Sequence, residues 1–249
     1  NDVCGVMMIP IPGTVRRSEI GLFDALGVPV VLLAPSDFVA LGQRVWSVTT
    51  DWYRAGYLQA RHLVEGGHET IAYLQHEPAA SDRQDLVIRG IRQALREGGH
   101  RHRDLVIMNA LTKPFDDSRM AAYDLTRQVL TGGKATAGIY ESFRGVQGGL
   151  RAALELGRSV PDDFAIVATG MGNNDEAFMS PPITTVDPRP EAEVDAAFGC
   201  LLAAGEPQTK RVTIEPALQV RPGAPREERV LADGAGLAGR MATPDAPAS

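Results

Sequence analysis

Few side chains in this chain stand at the spacings that chemistry requires. Gly170-Met171-Gly172 follows an apolar run and gives a bare G-x-G. It lacks the third glycine and the long following helix of a dinucleotide loop. Ser142 stands in Tyr140-Glu141-Ser142-Phe143-Arg144-Gly145, a strand-to-helix turn resembling a nucleophile elbow without its first glycine. No G-x-x-x-x-G-K-S/T phosphate loop occurs. The five histidines form no ligand set. His62 and His68 read as a helix face and a loop, and His100-Arg101-His102-Arg103 as a solvated loop. Cys4 and Cys200 fall on a strand and on an apolar helix stripe, where a buried thiol behaves as a small apolar group. Asp116-Asp117 and Asp162-Asp163 stand where a turn or a helix start needs a carboxylate. No catalytic set assembles, so the expectation is neither an enzyme nor a metal or cofactor protein.

The elements that would position any site are easier to read. Short apolar runs at residues 3–9, 28–33, 70–74, 105–108, 136–140 and 164–168 suit strands buried on both faces of a parallel sheet. Helical stripes lie between most of them. Gly56, Ala60, Leu63 and Val64 form one, and Val87, Ile91, Ala94 and Leu95 a second. Val146, Leu150, Ala153 and Leu154 form a third, and Val194, Phe198, Leu201 and Leu202 a fourth. Gly66-Gly67, Gly98-Gly99 and Gly157 supply helix stops. Alternation of strand and helix predicts an α/β fold with right-handed crossovers.

Composition narrows the partners. The 249 residues carry 25 Lys+Arg against 31 Asp+Glu, a formal charge of −6 that argues against a nucleic-acid footprint within this stretch. No apolar run approaches a membrane span, and two cysteines exclude a disulfide scaffold. The chain opens on Asn1 rather than Met, which suggests a piece of a longer protein. Residues 223–249 are rich in Ala, Gly and Pro without an aromatic, and predict a disordered tail.

Seven segments in order resemble the effector-binding core of LacI/GalR (lactose-repressor/galactose-repressor) transcriptional regulators. Asp2-Val3-Cys4-Gly5-Val6-Met7 resembles V-D-G-I/V-I/L, and Leu26-Gly27-Val28-Pro29-Val30-Val31 resembles G-I/V-P-V-V. Ala60-Arg61-His62-Leu63-Val64-Glu65-Gly66-Gly67-His68 leads into Thr70-Ile71-Ala72-Tyr73-Leu74, like the family's a-x-H-L-I/V-x-x-G-H segment. Gly90-Ile91-Arg92-Gln93-Ala94-Leu95 and Thr136-Ala137-Gly138-Ile139-Tyr140 follow, then residues 157–167 (G-x-x-V-P-x-D) and Pro181-Pro182-Ile183-Thr184-Thr185-Val186. The resemblance covers about residues 2 to 221.

It implies two Rossmann-like subdomains of the periplasmic-binding-protein type I, N-terminally truncated at what would be the third strand. Residues 1–75 with 187–208 are expected to form the N-terminal subdomain, and 76–186 with 209–222 the C-terminal one. A ligand cleft would lie between them, outside the carboxyl ends of the strands. The resemblance places the cleft at Asp51 and Trp52, at Arg83 and Val87, at Glu141, Ser142 and Phe143, and at Gly170 and Met171. Three family contacts are changed here. Val87 stands where the family has Arg, with Arg83 and Arg89 nearby. Ser142-Phe143 replaces an Asn-Asp turn, and Gly170-Met171 replaces the strand-end Asp, with Asn173, Asn174 and Asp175 following. Two readings fit. In one, a less polar ligand lies against Phe143, Met171 and Trp52, with the indole stacking on a ring. In the other, the protein has little effector response or none. The plainer readings of Trp52 and Arg83 are a helix-start residue packed against the next loop and a solvated helix residue.

The function this implies is the effector-sensing, dimerising core of a cytoplasmic DNA-binding regulator. Its partners would be a small-molecule effector, a second copy, and operator DNA reached through a helix-turn-helix outside this sequence, with no membrane. The alternative is a solute-binding protein of a sugar-type importer.

Overall fold

The computed structural model describes residues 3–9, 16–34, 42–79, 81–172, 175–203 and 210–221. Two sheets alternate with helices, as the periodicity predicts. The elements are β1 (Val6–Met8), α1 (Arg17–Ala25), β2 (Val30–Leu33), β3 (Val45–Thr50), α2 (Trp52–Glu65) and β4 (Ile71–Gln75), then α3 (Ser81–Glu97), β5 (Leu105–Asn109) and α4 (Ser118–Gly132). They continue with β6 (Ala137–Tyr140), α5 (Phe143–Glu155), β7 (Ala165–Thr169), β8 (Thr184–Asp187), α6 (Pro190–Leu202), β9 (Arg211–Ile214) and β10 (Ala217–Gln219).

The first sheet has the order β1-β2-β3-β9 and is parallel throughout. The second has the order β10-β8-β7-β6-β4-β5, parallel except where β10 runs against β8. β4 and β6 are neighbours, but β5 lies on the far side of β4, so the chain's direction of winding reverses between them. Crevices open at such reversals, outside the strands' carboxyl ends.

Each face of the larger sheet is covered by a helix pair. α2 and α3 bury Tyr57, Ala60, Leu63, Val87, Ile91 and Leu95 against Ile71, Tyr73, Ile139 and Val167. α4 and α5 bury Leu125, Val129, Phe143 and Val146 on the other face, against Leu74, Tyr140 and Ile166. Strand residues alternate between these two clusters, which is why the strands read as continuous apolar runs. In the smaller sheet Val31, Trp46 and Val48 meet Ala197 and Cys200 of α6, and Val30, Leu32 and Val45 meet Ile20 of α1. Gly67, Gly99 and Gly157 have positive φ after α2, α3 and α5, where the double and single glycines predicted stops.

Two points differ from the expected subdomain boundaries, and one from the expected helices. β4 pairs with β5 and β6, so Ile71–Gln75 and the whole of α2 belong with the larger sheet, and the chain first crosses at Thr50-Asp51 rather than after residue 75. β9 pairs with β3, so the last crossover follows Ile214 instead of residue 208. α1 and α4 were absent from the helical stripes. α4 buries Ser118, Ala122, Leu125, Thr126 and Val129, a face with two polar members that a purely apolar pattern passes over. The predicted disordered tail, 223–249, lies outside the described residues. No helix among the described residues is long and apolar enough to cross a membrane.

Candidate functional site

β4 ends in Gln75, and His76 and Glu77 follow; β6 ends in Tyr140, and Glu141 and Ser142 follow. Because β4 and β6 are adjacent at the reversal, these two polar strand ends meet. The Glu141 carboxylate is buried and accepts hydrogen bonds from the Glu77 amide at 2.8 Å, from Gln84 Nε2 at 2.6 Å and from Tyr73 Oη at 3.3 Å. Burial pushes its carboxyl group above the ordinary range, while the Glu77 amide, the Arg83 charge, Gln84 and Tyr73 pull it back. The same burial, with the Glu141 charge, raises the Tyr73 phenol. Ser142 Oγ donates to Glu77 Oε1 and fixes that carboxylate at the rim, where the Glu77 side chain is 19% exposed.

Below them lies His76, with no exposed surface and no hydrogen-bond partner for either ring nitrogen. Burial depresses it to about 4, against a favourable pull from Glu77, whose Oε1 is 3.6 Å from Nδ1. A neutral imidazole therefore fills the space under the start of α5. Gly145 makes room for it, because a Cβ there would fall on the His76 ring.

A second group sits at the first crossover. Asp51 caps α2, accepting the Arg54 amide at 2.8 Å, and its own amide donates to Ile214 O on the third crossover. Trp52 Nε1 donates to Thr49 Oγ1 at 3.1 Å, which holds the indole at the mouth of the helix. The Arg83 guanidinium carbon lies 5.2 Å from the Trp52 ring centroid. Arg83 and Val87 are one helical turn apart on α3, so they share a face, and Arg83 is the one nearer the amino end.

Sequence-predicted positions thus divide. Asp51, Trp52, Arg83, Glu141 and Ser142 gather at the carboxyl ends of β3, β4 and β6. Gly170 and Met171 follow β7 at the same end of the sheet. There buried Glu176 accepts the Met171 amide at 2.9 Å and occupies the space a Cβ on Gly170 would need, while Met171 is exposed. Val87 and Phe143 are instead largely buried. Each is 6% exposed and sits in the apolar clusters on opposite faces of the sheet. Arg89 is exposed on α3, and Asn173 and Asn174 lie outside the described residues.

Sequence reading missed Tyr73, His76, Glu77 and Gln84. It also missed Gln59, whose amide reaches Thr169 Oγ1 at 3.3 Å. The available signal was a polar triplet, Gln75-His76-Glu77, following an apolar strand directly. Leu111 and Phe115, in the loop after β5, were missed too. They are exposed at positive φ of 54° and 74° beside a cavity of about 470 Å³ lined by Asn109, Leu111, Asp117 and Asp124.

Residues 60–224 match the family described as periplasmic binding protein-like domain. The chain is 27% identical over 219 residues to the HTH-type transcriptional repressor PurR of Yersinia pestis bv. Antiqua (strain Antiqua), covering 86% of this chain and 59% of that protein. It thus spans somewhat over half the length of this curated relative. Among solved structures it resembles a LacI family transcriptional regulator from Enterococcus faecium with bound ribose, at 23% identity and a TM-score of 0.73, covering 87% of this chain and 78% of the other. It also resembles the transcription regulator CcpA of Lactococcus lactis, at 19% identity and a TM-score of 0.70, over 88% of this chain and 77% of that one. The chain belongs to the periplasmic binding protein-like domain family.

Proposed function

We propose that this chain is the effector-sensing core of a cytoplasmic, homodimeric transcriptional regulator without catalytic activity. A small molecule in the crevice at the carboxyl ends of β3, β4 and β6 would shift the balance between two arrangements of the sheets. Operator affinity of a helix-turn-helix outside this sequence would change with it. The observation that carries the ligand reading is the meeting of two groups at the reversal of winding, the Glu77–Ser142 pair and the Arg83–Trp52 stack. Arg83 supplies donors, Glu77 supplies an acceptor, and Trp52 and Met171 supply apolar surface. That mixture suits an amphipathic ring better than a bare polyol, because Val87 and Phe143, buried in the core, offer a hydroxyl nothing. Support for the DNA partner comes from the repressor relatives, whose whole length this chain does not span.

The test is a thermal-shift screen with ribose, hexoses, nucleosides and small aromatic compounds, repeated on Arg83→Gln. A concentration-dependent rise in melting temperature that the substitution weakens is the expected result. A ligand unaffected by Arg83→Gln places the binding surface elsewhere. If no compound shifts melting, the core works without an effector.

A further inference from the structure

The first two of the three crossovers between the sheets converge on one hydroxyl group. Thr50 closes β3 and is 1% exposed. Its Oγ1 lies 2.9 Å from the Pro188 carbonyl oxygen, on the second crossover, and 2.8 Å from Glu193 Oε1, in the first turn of α6. The Thr50 backbone amide also faces the Glu193 carboxyl group and favours its charge.

A hydroxyl has one proton to donate. With Glu193 ionised, its oxygen and the Pro188 carbonyl are both acceptors, and one of the two short contacts lacks a hydrogen. With Glu193 protonated, the carboxyl O–H donates to Thr50 Oγ1 and the Thr50 O–H donates to Pro188 O. Both separations are then ordinary hydrogen bonds.

We propose that Glu193, Thr50 and Pro188 form a proton-dependent clasp across the hinge, tight while Glu193 holds a proton and slack when it is ionised. The clasp ties β3, in the smaller sheet, to the chain returning from β8, in the larger one. Its state sets how freely the two sheets move against each other. It goes beyond the effector reading and needs no ligand.

The surroundings favour titration of this one group. Burial of Glu193 disfavours its charge, and the two contacts from Thr50 oppose that. Other charged groups among the described residues of the meeting elements are occupied or displaced. Asp187 accepts the Arg189 amide and Gln219 Nε2. Asp51 caps α2, and Arg54 faces Glu215 at 3.8 Å. On α6 itself Glu191 and Asp195 are exposed, and on β9 Arg211 stands beside Ser47, three residues before Thr50 along β3. β2 and β3 carry no charge where they meet α6.

Hydrogen exchange by mass spectrometry on the full chain tests this, between about pH 4 and about pH 8, with intrinsic exchange rates divided out. Peptides covering Thr50–Trp52 and Pro188–Glu193 are expected to be about three- to tenfold better protected at the acid end. A peptide from α4 serves as the reference for the fold. Glu193→Gln, whose amide donates to Thr50 Oγ1 at every pH, should be protected throughout the range. Thr50→Val should be unprotected throughout, and Thr50→Ser should keep the wild-type dependence. Flat protection in the wild type overturns the clasp. So does a Glu193→Gln variant that follows the wild-type curve, or a Thr50→Ser variant that behaves like Thr50→Val.

Discussion

Arg83 and Trp52 stack across the junction of two helices, with the guanidinium carbon 5.2 Å from the ring centroid. Trp52 is the first residue of α2 and follows directly on the first crossover, while Arg83 lies in the first turn of α3. One contact therefore joins the hinge to the helix that leaves the end of β4. The indole is pinned from behind by Thr49, so the guanidinium has a fixed platform. Only two tryptophans exist, and Trp46 is buried in the smaller sheet.

Removing the cation should be visible in Trp52 alone. Arg83→Gln is expected to change its emission intensity and its accessibility to iodide, with Trp46 silent. A half-exposed stack of this kind contributes about 0.5–1 kcal/mol, so urea unfolding should shift by no more than that. An unchanged spectrum would mean that the stack does not persist in solution.

Glycine positions between α2 and α3 predict a much larger effect. A Cβ on Gly56 would collide with the Val87 carbonyl, and one on Gly90 with the Tyr53 carbonyl, both backbone atoms that cannot swing aside. Gly56→Ala or Gly90→Ala should each destabilise by roughly 2–3 kcal/mol in urea unfolding, as overpacking of a helix interface does. Gly21, in α1, has nothing within 4 Å of its added Cβ. Gly21→Ala should therefore be neutral or stabilising by about 0.5–1 kcal/mol. Equal effects at the three positions would refute the packing argument.

These two positions also illustrate what sequence reading reaches. Gly56 opens one apolar helical repeat and Gly90 falls within the span of the next, and the repeats predicted the helices but not that they press backbone to backbone. Val87 shows the limit of reading by correspondence. Its position pointed to the cleft, yet an apolar side chain at that turn drops into the core, and the cation stands one turn earlier at Arg83. Glu141 was reached only through the family resemblance. What it does was not legible, because its three donors come from residues 57 to 68 positions away that only the sheet order brings together. The first crossover was misplaced for a related reason. Residues 45–50 mix apolar and polar types, so β3 is not among the continuous apolar runs.

Glu141 accepts three donors and offers none, so an amide cannot replace it without loss. Glu141→Gln points an N–H₂ group at donors on at least one side, and leaving one buried donor unmatched costs about 1–3 kcal/mol. Tyr73→Phe in the same background should then cost less than it does in the wild type, since its bond is already compromised. Additive losses in the double variant would show that the network acts as separate bonds.

His76 sets a pH dependence of stability whose sign follows from its burial. The folded imidazole is depressed to about 4, against about 6.5 for a free imidazole. Between those two values the unfolded chain binds the proton and the folded chain does not, so stability rises with pH across the window. Below it both states are protonated, and the contribution has been lost. That depression corresponds to something on the order of 3 kcal/mol. Raised Glu141 acts oppositely, favouring the folded state's proton and lowering stability as pH climbs just above the ordinary carboxylate range. The two can be separated by substitution. His76→Phe keeps a ring above the Gly145 backbone and removes two nitrogens that have no partner. It should flatten the urea-unfolding profile between about pH 4 and about pH 6.5 while leaving stability at neutral pH within about 1 kcal/mol of wild type. A His76→Phe profile as steep as the wild-type one would assign the acid lability to other groups and show that His76 is wetter, and more easily protonated, than its position indicates.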